Sequence, residues 1–411
     1  GEEMARFQFL EETARRIFTI HGYEELRTPV FEPTDLFVRG IGEVTDIVSK
    51  EMYTFKDRSE RSLTLRPEGT AGVVRATLEH GLLRQSSEMK VFYMGPMFRY
   101  ERPQKGRQRQ FHQIGCEWFG NASPWADAET IAMLTIYLEA CGFSGVRTRV
   151  NSIGARGDRE AINSALRSHL EAHRGDLCED CQRRTATHPM RALDCKNPGC
   201  QPTLDAAPPI VDLLSEASQT LFREVCEHLE TLGIEFEIAP RLVRGFDYYT
   251  HTVFETVLPG LGAQDAVLGG GRYDNLFEDL GGTSTPALGA SLGVERLSLA
   301  LQSLEAGPDL RSRVDVAICL LDEAGLEVAA RLAATCRAEG LRVRFDYQRR
   351  SPKAALRDAN RVNAHFAALL GASEIEAQHV QLKDLESGNQ GPVSFADLPG
   401  RLQTHTADSP Q

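Results

Sequence analysis

Residues 91–99 and 109–119 read as the two strands of an antiparallel hairpin with a basic, turn-rich tip. Side chains alternate along a strand, so Arg109, Phe111, Gln113, Gly115 and Glu117 share one face, and Tyr93, Gly95, Met97 and Arg99 share another. Such a polar face either meets water or floors a pocket for a ligand with phosphate, amine and aromatic parts. Arg99 can pair bidentately with a carboxylate or phosphate. Phe111 can stack on a base. In Arg66-Pro67-Glu68-Gly69-Thr70, the proline and glycine force a tight loop between a strand and a helix. Glu68 there can hold an ammonium or, with Thr70, cap the helix.

Three later segments add to this set. Arg241-Leu242-Val243-Arg244-Gly245-Phe246-Asp247-Tyr248-Tyr249 is either a turn into an aromatic strand or a second cationic clamp with tyrosine hydroxyls as donors. Gly269-Gly270-Gly271-Arg272 fits neither a Walker loop nor the dinucleotide fingerprint, and reads as a structural turn. In Gly293-Val294-Glu295-Arg296-Leu297 an arginine stands in the first turn of a helix. There it adds to the positive end of the dipole, which an anion or a salt bridge to Glu295 would offset.

The elements that must position these groups form an α+β pattern. Residues 4–20 have the apolar spacing of an amphipathic helix. A strand is expected over 25–31, interrupted by Pro29. Residues 1–154 and 239–307 read as two parts of one core. Residues 155–238 read as an inserted, mostly helical module. After a linker, 314–411 alternate strand and helix as a small α/β domain. Between 337 and 361 eight basic residues, among them Arg349, Arg350 and Lys353, face three acidic ones. This is a phosphate footprint or a solvated helix face.

The chain has 411 residues and a net charge of −12, so nucleic acid could be met only through such local patches. With 41% hydrophobic and 25% charged residues, the composition excludes a disordered or collagen-like chain. No apolar run is long enough to span a bilayer, so no membrane partner is expected. The first residues lack the basic start and apolar core of a signal peptide. Nine cysteines, an odd number, fit a reducing cytoplasm better than a disulfide framework.

In this order and spacing the motifs resemble the histidyl-tRNA synthetase family of class II aminoacyl-tRNA synthetases, over the whole chain. The resemblance rests on TLRPEGTAG, FRYERPQKGRQRQFHQIGCE, LVRGFDYYT, LGGGRYD and GVERL. It implies an antiparallel sheet flanked by helices, a C-terminal anticodon-binding domain, and a homodimer built on the segment around Pro29. It implies L-histidine, ATP with Mg2+, and histidine tRNA as ligands. Glu68 and Thr70 would bind the histidine α-amino group, with Gln113 nearby and Gly69 also at the histidine. Glu117 would read the imidazole, helped by Tyr249 with Tyr248 beside it. Arg99 and Arg244 would serve the histidine carboxylate and the α-phosphate as the catalytic pair. Phe111 and Arg296 would sandwich the adenine, with Glu101 and Arg107 also at the ATP. Arg102, Lys105 and Arg109 on the hairpin, and Arg349, Arg350 and Lys353, would meet the tRNA. A regulatory paralogue that binds histidine as a signal is the rival reading. Such relatives characteristically lose Arg99, Arg296 and the C-terminal domain, all present here.

No metal is expected among the site residues. Cys178, Cys181, Cys195 and Cys200 give C-x2-C, thirteen residues, then C-x4-C. That spacing approximates a four-thiolate zinc site. The family does not require zinc and the second pair is wide, so free thiols in the inserted module are the other reading.

Overall fold

The computed structural model describes residues 1–42, 45, 47–84, 86–102, 106–261, 266–308 and 314–407, without the side chains of 404–407. The larger of two compact units spans Arg6–Pro308. Its strands are β1 (Glu24–Glu25), β2 (Phe31–Pro33), β3 (Tyr53–Lys56), β4 (Ser62–Leu65), β5 (Met89–Phe98), β6 (Gln110–Phe119), β7 (Arg147–Ser152), β8 (Phe236–Ile238), β9 (Thr250–Val257), β10 (Ala266–Arg272) and β11 (Ala287–Gly293). Eight of them form one sheet in the order β1-β5-β6-β11-β10-β9-β7-β8. The pairs at its two ends, β1 with β5 and β7 with β8, are parallel and the rest antiparallel.

Two expectations are corrected. The strand over 25–31 is two short strands in different sheets, because Pro29 has no N–H for a ladder. β1 pairs with β5, whereas β2 joins the three-stranded sheet β2-β4-β3. The glycine run is no turn: Gly269, Gly270 and Gly271 lie inside β10, paired on both sides.

Alternation along the large sheet separates two faces. Phe92, Ile114, Cys116, Trp118, Phe254, Leu288 and Leu292 point into one core. The helices Glu2–Ile20, Pro124–Ala140, Glu216–Thr231 and Val294–Ser303 contribute Phe18, Tyr137, Phe222 and Leu297 to it. Each such side chain buried fully contributes about 1.5–3 kcal/mol. The opposite face carries Gly95, Gln113, Gly115, Glu117, Gly271, Gly289 and Ser291 in register. Of the helices between β7 and β8, Arg159–Ala172 and Glu179–Thr187 share a second core with Tyr93, Tyr248, Tyr249 and Tyr273.

One charged pair crosses the first core's rim. Arg272 and Asp127 are 1% and 0% exposed, with Nη2 to Oδ2 at 2.6 Å. The guanidinium also donates to the carbonyls of Asn121 and Ser123 at 3.0 and 2.8 Å. It therefore fixes β10 to the start of the Pro124–Ala140 helix.

The C-terminal unit is described by itself. It holds β12 (Val314–Leu320), β13 (Val343–Phe345), β14 (Ala364–Leu370), β15 (His379–Asp384) and β16 (Gln390–Ser394) in the order β13-β12-β14-β15-β16. Helices Leu326–Ala338 and Pro352–Arg361 cover it. Among the described residues no helix is long and apolar enough to cross a membrane.

Removing one partner of a buried ion pair strands the other charge. Arg272→Met is therefore expected to lower unfolding free energy by about 3–5 kcal/mol in urea denaturation. A change within about 0.5 kcal/mol, usual for surface sites, would contradict this role.

Candidate active site

The polar face becomes a pocket because its floor is glycine. A Cβ at Gly115 or Gly69 would overlap the Tyr93 ring, one at Gly269 the Arg244 guanidinium, and one at Gly289 the Glu117 carboxylate. Glycine weakens a strand, and here it makes room for larger groups to lie flat across the sheet.

Glu117 is the centre of the pocket. It is 1% exposed. Its Oε1 accepts the Thr70 hydroxyl at 2.7 Å and the Tyr93 hydroxyl at 3.3 Å. Its Oε2 accepts the Tyr273 hydroxyl. A carboxylate offers about four acceptor positions, so roughly one remains, on Oε2. Burial pushes the Glu117 carboxyl up from its ordinary 4.5 to about 8, against the pull of these hydroxyls and with a further push from Glu68.

Glu68 sits where the tight loop puts it, at the start of the Thr70–His80 helix. Its two oxygens accept the Thr70 and Ala71 backbone N–H groups at 2.6 and 2.9 Å. The helix-capping role expected as one alternative is thus present, and it aligns a buried carboxylate whose protonation burial favours. Arg66 anchors the same loop, donating to the Pro96 and Thr28 carbonyls at 2.9 and 3.0 Å. Thr70 links both acids, since its backbone N–H donates to Glu68 and its hydroxyl to Glu117.

Gln113 lies two residues along β6 and is 7% exposed. Among the described residues its buried Oε1 has no donor, a costly state that an ammonium would relieve. Arg244 lies over Gly269, near Tyr249, with Glu255 3.8 Å away and its buried Nε unpartnered among the described residues. Arg99 donates to the Pro67 carbonyl at 2.8 Å. Its guanidinium faces the Phe111 ring at 5.2 Å and the Phe246 ring at 5.8 Å. Burial lowers its pKa, while Glu101, Glu51 and Glu68 oppose that. In this structure Arg99 therefore occupies the ring face expected for adenine. Arg296, half-buried in the Val294–Ser303 helix, follows Gly293, the β11 partner of Gln113. Glu295, its neighbour in that helix, accepts the His112 backbone N–H at 2.9 Å and lies 2.9 Å from its ring Nδ1.

The hairpin tip lies beyond the pocket. Arg107 pairs with Glu101 at 3.3 Å, Arg109 stacks on Tyr100 at 4.4 Å, and Arg102 is exposed. Lys105 falls outside the described residues. In the C-terminal unit Arg349 and Lys353 are exposed, whereas Arg350 is held by Asp346 at 2.6 Å.

Several site residues escaped the sequence reading. Tyr93 is placed on the right face without a role, and Tyr273 is quoted only as part of a motif. Both donate to Glu117, and the Tyr249 ring packs 4.7 Å from that of Tyr248. Arg159 and Arg191 hold the loop from outside: Arg159 donates to the Asp247 carbonyl at 2.9 Å, and Arg191 to the Gly245 carbonyl at 2.6 Å. No local pattern marks them; only the tertiary fold does.

The raised Glu117 value has a sign. Stability from this site is full below pH 4.5 and is lost as pH rises through about 8. Glu117→Gln cannot ionise. Its stability relative to the parent is expected to grow by a few kcal/mol between pH 5 and pH 9, measured by denaturant unfolding across that range. A flat difference would contradict the burial account.

Comparisons with known proteins agree with this geometry. The histidyl-tRNA synthetase family model matches residues 1–297, and the anticodon binding domain model matches residues 315–405. A histidine--tRNA ligase of Natranaerobius thermophilus is 45% identical, covering 98% of this chain and 96% of the relative. One of Syntrophotalea carbinolica is 46% identical over 98% and 96%. The apo histidyl-tRNA synthetase of S. aureus superposes with a TM-score of 0.80 at 35% identity, over 97% of this chain and 96% of that one. The glycine-floored pocket, its buried carboxylate and these full-length likenesses place the chain in the histidyl-tRNA synthetase family of class II aminoacyl-tRNA synthetases.

Proposed function

We propose that this pocket activates L-histidine with ATP and passes it to histidine tRNA, and that Glu117 reads the imidazole. The carrying observation is the acceptor count on Glu117, three hydroxyl donors and one position open. An imidazole ring fits that position through a ring N–H. The amino group lies against Gln113 Oε1, with Glu68, Gly69 and Thr70 beside it. Tyr248 and Tyr249 wall the ring.

The first step needs no protein nucleophile. The histidine carboxylate attacks the α-phosphorus, pyrophosphate leaves, and histidyl-adenylate forms. Arg99 and Arg244 approach from β5 and from the loop before β9, orient the carboxylate and offset the charge that develops at phosphorus. Arg99 leaves Phe111 so that the base stacks there, with Arg296 on its other face. Glu101 and Arg107 bracket the phosphates. Glu101 offers one hard carboxylate oxygen but is paired with Arg107 at 3.3 Å, so a divalent cation would take it only together with the phosphates, which would draw the arginine away. Mg2+ held by Glu101 and the phosphates would supply charge neutralisation of the leaving group. In the second step the terminal ribose hydroxyl of tRNA attacks the adenylate carbonyl and AMP departs. Arg102, Lys105 and Arg109 meet the acceptor end, and Arg349, Arg350 and Lys353 the anticodon arm.

The working form is a cytoplasmic homodimer. Phe31 and Phe55, on β2 and β3, are 51% and 45% exposed and pack edge to face at 6.4 Å. They offer a second copy an apolar patch beside the segment around Pro29.

ATP–pyrophosphate exchange tests this reading. Exchange is expected with histidine and with no other amino acid. Arg244→Ala lowers its rate about 100- to 1000-fold with little change in histidine KM. Glu117→Gln chiefly raises histidine KM. Clear histidine binding without exchange would favour the regulatory paralogue.

A further inference from the structure

The cysteines of the inserted segment converge. Cys178 lies just before the Glu179–Thr187 helix, Cys181 within it, Cys195 after the Pro189–Ala192 helix and Cys200 at the end of the next turn. Their four sulfurs lie within 4.8 Å of one another. Cys178 Sγ and Cys195 Sγ are 3.9 Å apart. Four thiolates around one zinc at about 2.3 Å stand about 3.8 Å from each other. A disulfide would bring a pair to about 2.0 Å, and all four are free thiols.

The surroundings suit a charged sulfur cluster. The Cys178 N–H donates to Cys200 Sγ at 3.2 Å and the Asn197 N–H to Cys195 Sγ at 3.4 Å. Backbone donors of this kind stabilise thiolates. Leu177, Ala192, Leu193 and Leu204 pack around the group and limit water. Two sulfur-bearing residues are buried and two half-buried, so a metal ion has a way in.

We propose that Cys178, Cys181, Cys195 and Cys200 form a structural zinc site. Binding releases the four thiol protons and leaves a tetrahedral zinc tetrathiolate with no open position and no change of oxidation state. The site ties the start of the Glu179–Thr187 helix to the segment after Pro189–Ala192. Arg191, between the two cysteine pairs, reaches Gly245 and Asp247 at 2.6 and 3.1 Å. The metal thereby supports the platform from which Arg191 positions the loop carrying Arg244 and Tyr249.

The full chain, purified reduced and without chelator from zinc-supplied cells, is expected to carry about one zinc per chain by elemental analysis. Cobalt(II) added to the stripped chain should give intense thiolate charge-transfer bands with tetrahedral d–d bands. Cys195→Ser should lose the metal. Should that variant fail to fold, iodoacetamide labelling of the parent chain reads the same point. The four thiols alkylate slowly with zinc and at least about tenfold faster after chelation. A zinc-free chain, cobalt without charge-transfer bands, iron in place of zinc, or a disulfide among the four would overturn the assignment. None of these readouts depends on histidine activation.

Discussion

A carboxylate buried on a sheet face must be paid for by its neighbours, and the pocket's architecture follows from that requirement. Glu117 is held by hydroxyls: Thr70 from a helix start, Tyr93 from β5 and Tyr273 from just past β10. Hydroxyls satisfy the acid without neutralising it, so the site keeps an appetite for a positive or proton-bearing ring. Gly115 of β6, Gly269 of β10 and Gly289 of β11 are the other half of the arrangement, since a side chain there would displace Tyr93, Arg244 or Glu117 itself.

The remaining groups are arranged around that fixed point. Glu68 caps the helix that presents Thr70, so one turn aligns both acids. The loop before β9 is anchored by Arg159, and its Asp247 N–H donates to the Ile41 carbonyl at 3.2 Å. Residues far apart in sequence thus carry one loop, and its rigidity comes from packing against the inserted helices. The Arg272–Asp127 pair does comparable work below the sheet, where β10 meets the helix after β6.

Much of this is legible in the sequence because strand alternation is a strong constraint. Phe111, Gln113, Gly115 and Glu117 share a face in the structure, and Cys116 lies in the opposite core. What depends on register between distant strands is not legible. Tyr273 meets Glu117 across 156 positions. Three consecutive glycines signal a turn locally, and only the Arg244 guanidinium on Gly269, the β11 backbone against Gly270 and the β9 backbone with the Tyr249 ring against Gly271 explain a strand. Pro29 marks a break correctly, yet nothing local says that the chain changes sheets there. The cysteine spacing leaves metal and free thiols open, and that the four sulfurs converge is visible only in the fold.

The central claim is that Glu117 meets the histidine ring. Its direct test is the nitrogen NMR signal of ring-labelled histidine bound to the full chain at pH 8. Free imidazole, with a pKa near 6.5, is neutral there. Burial holds the Glu117 carboxyl up at about 8, and a cationic ring beside it would draw that value back down and favour the carboxylate, so the account predicts a bound ring carrying protons on both nitrogens, paired with Glu117. A bound ring with one bare nitrogen, its signal indifferent to Glu117→Gln, would contradict it.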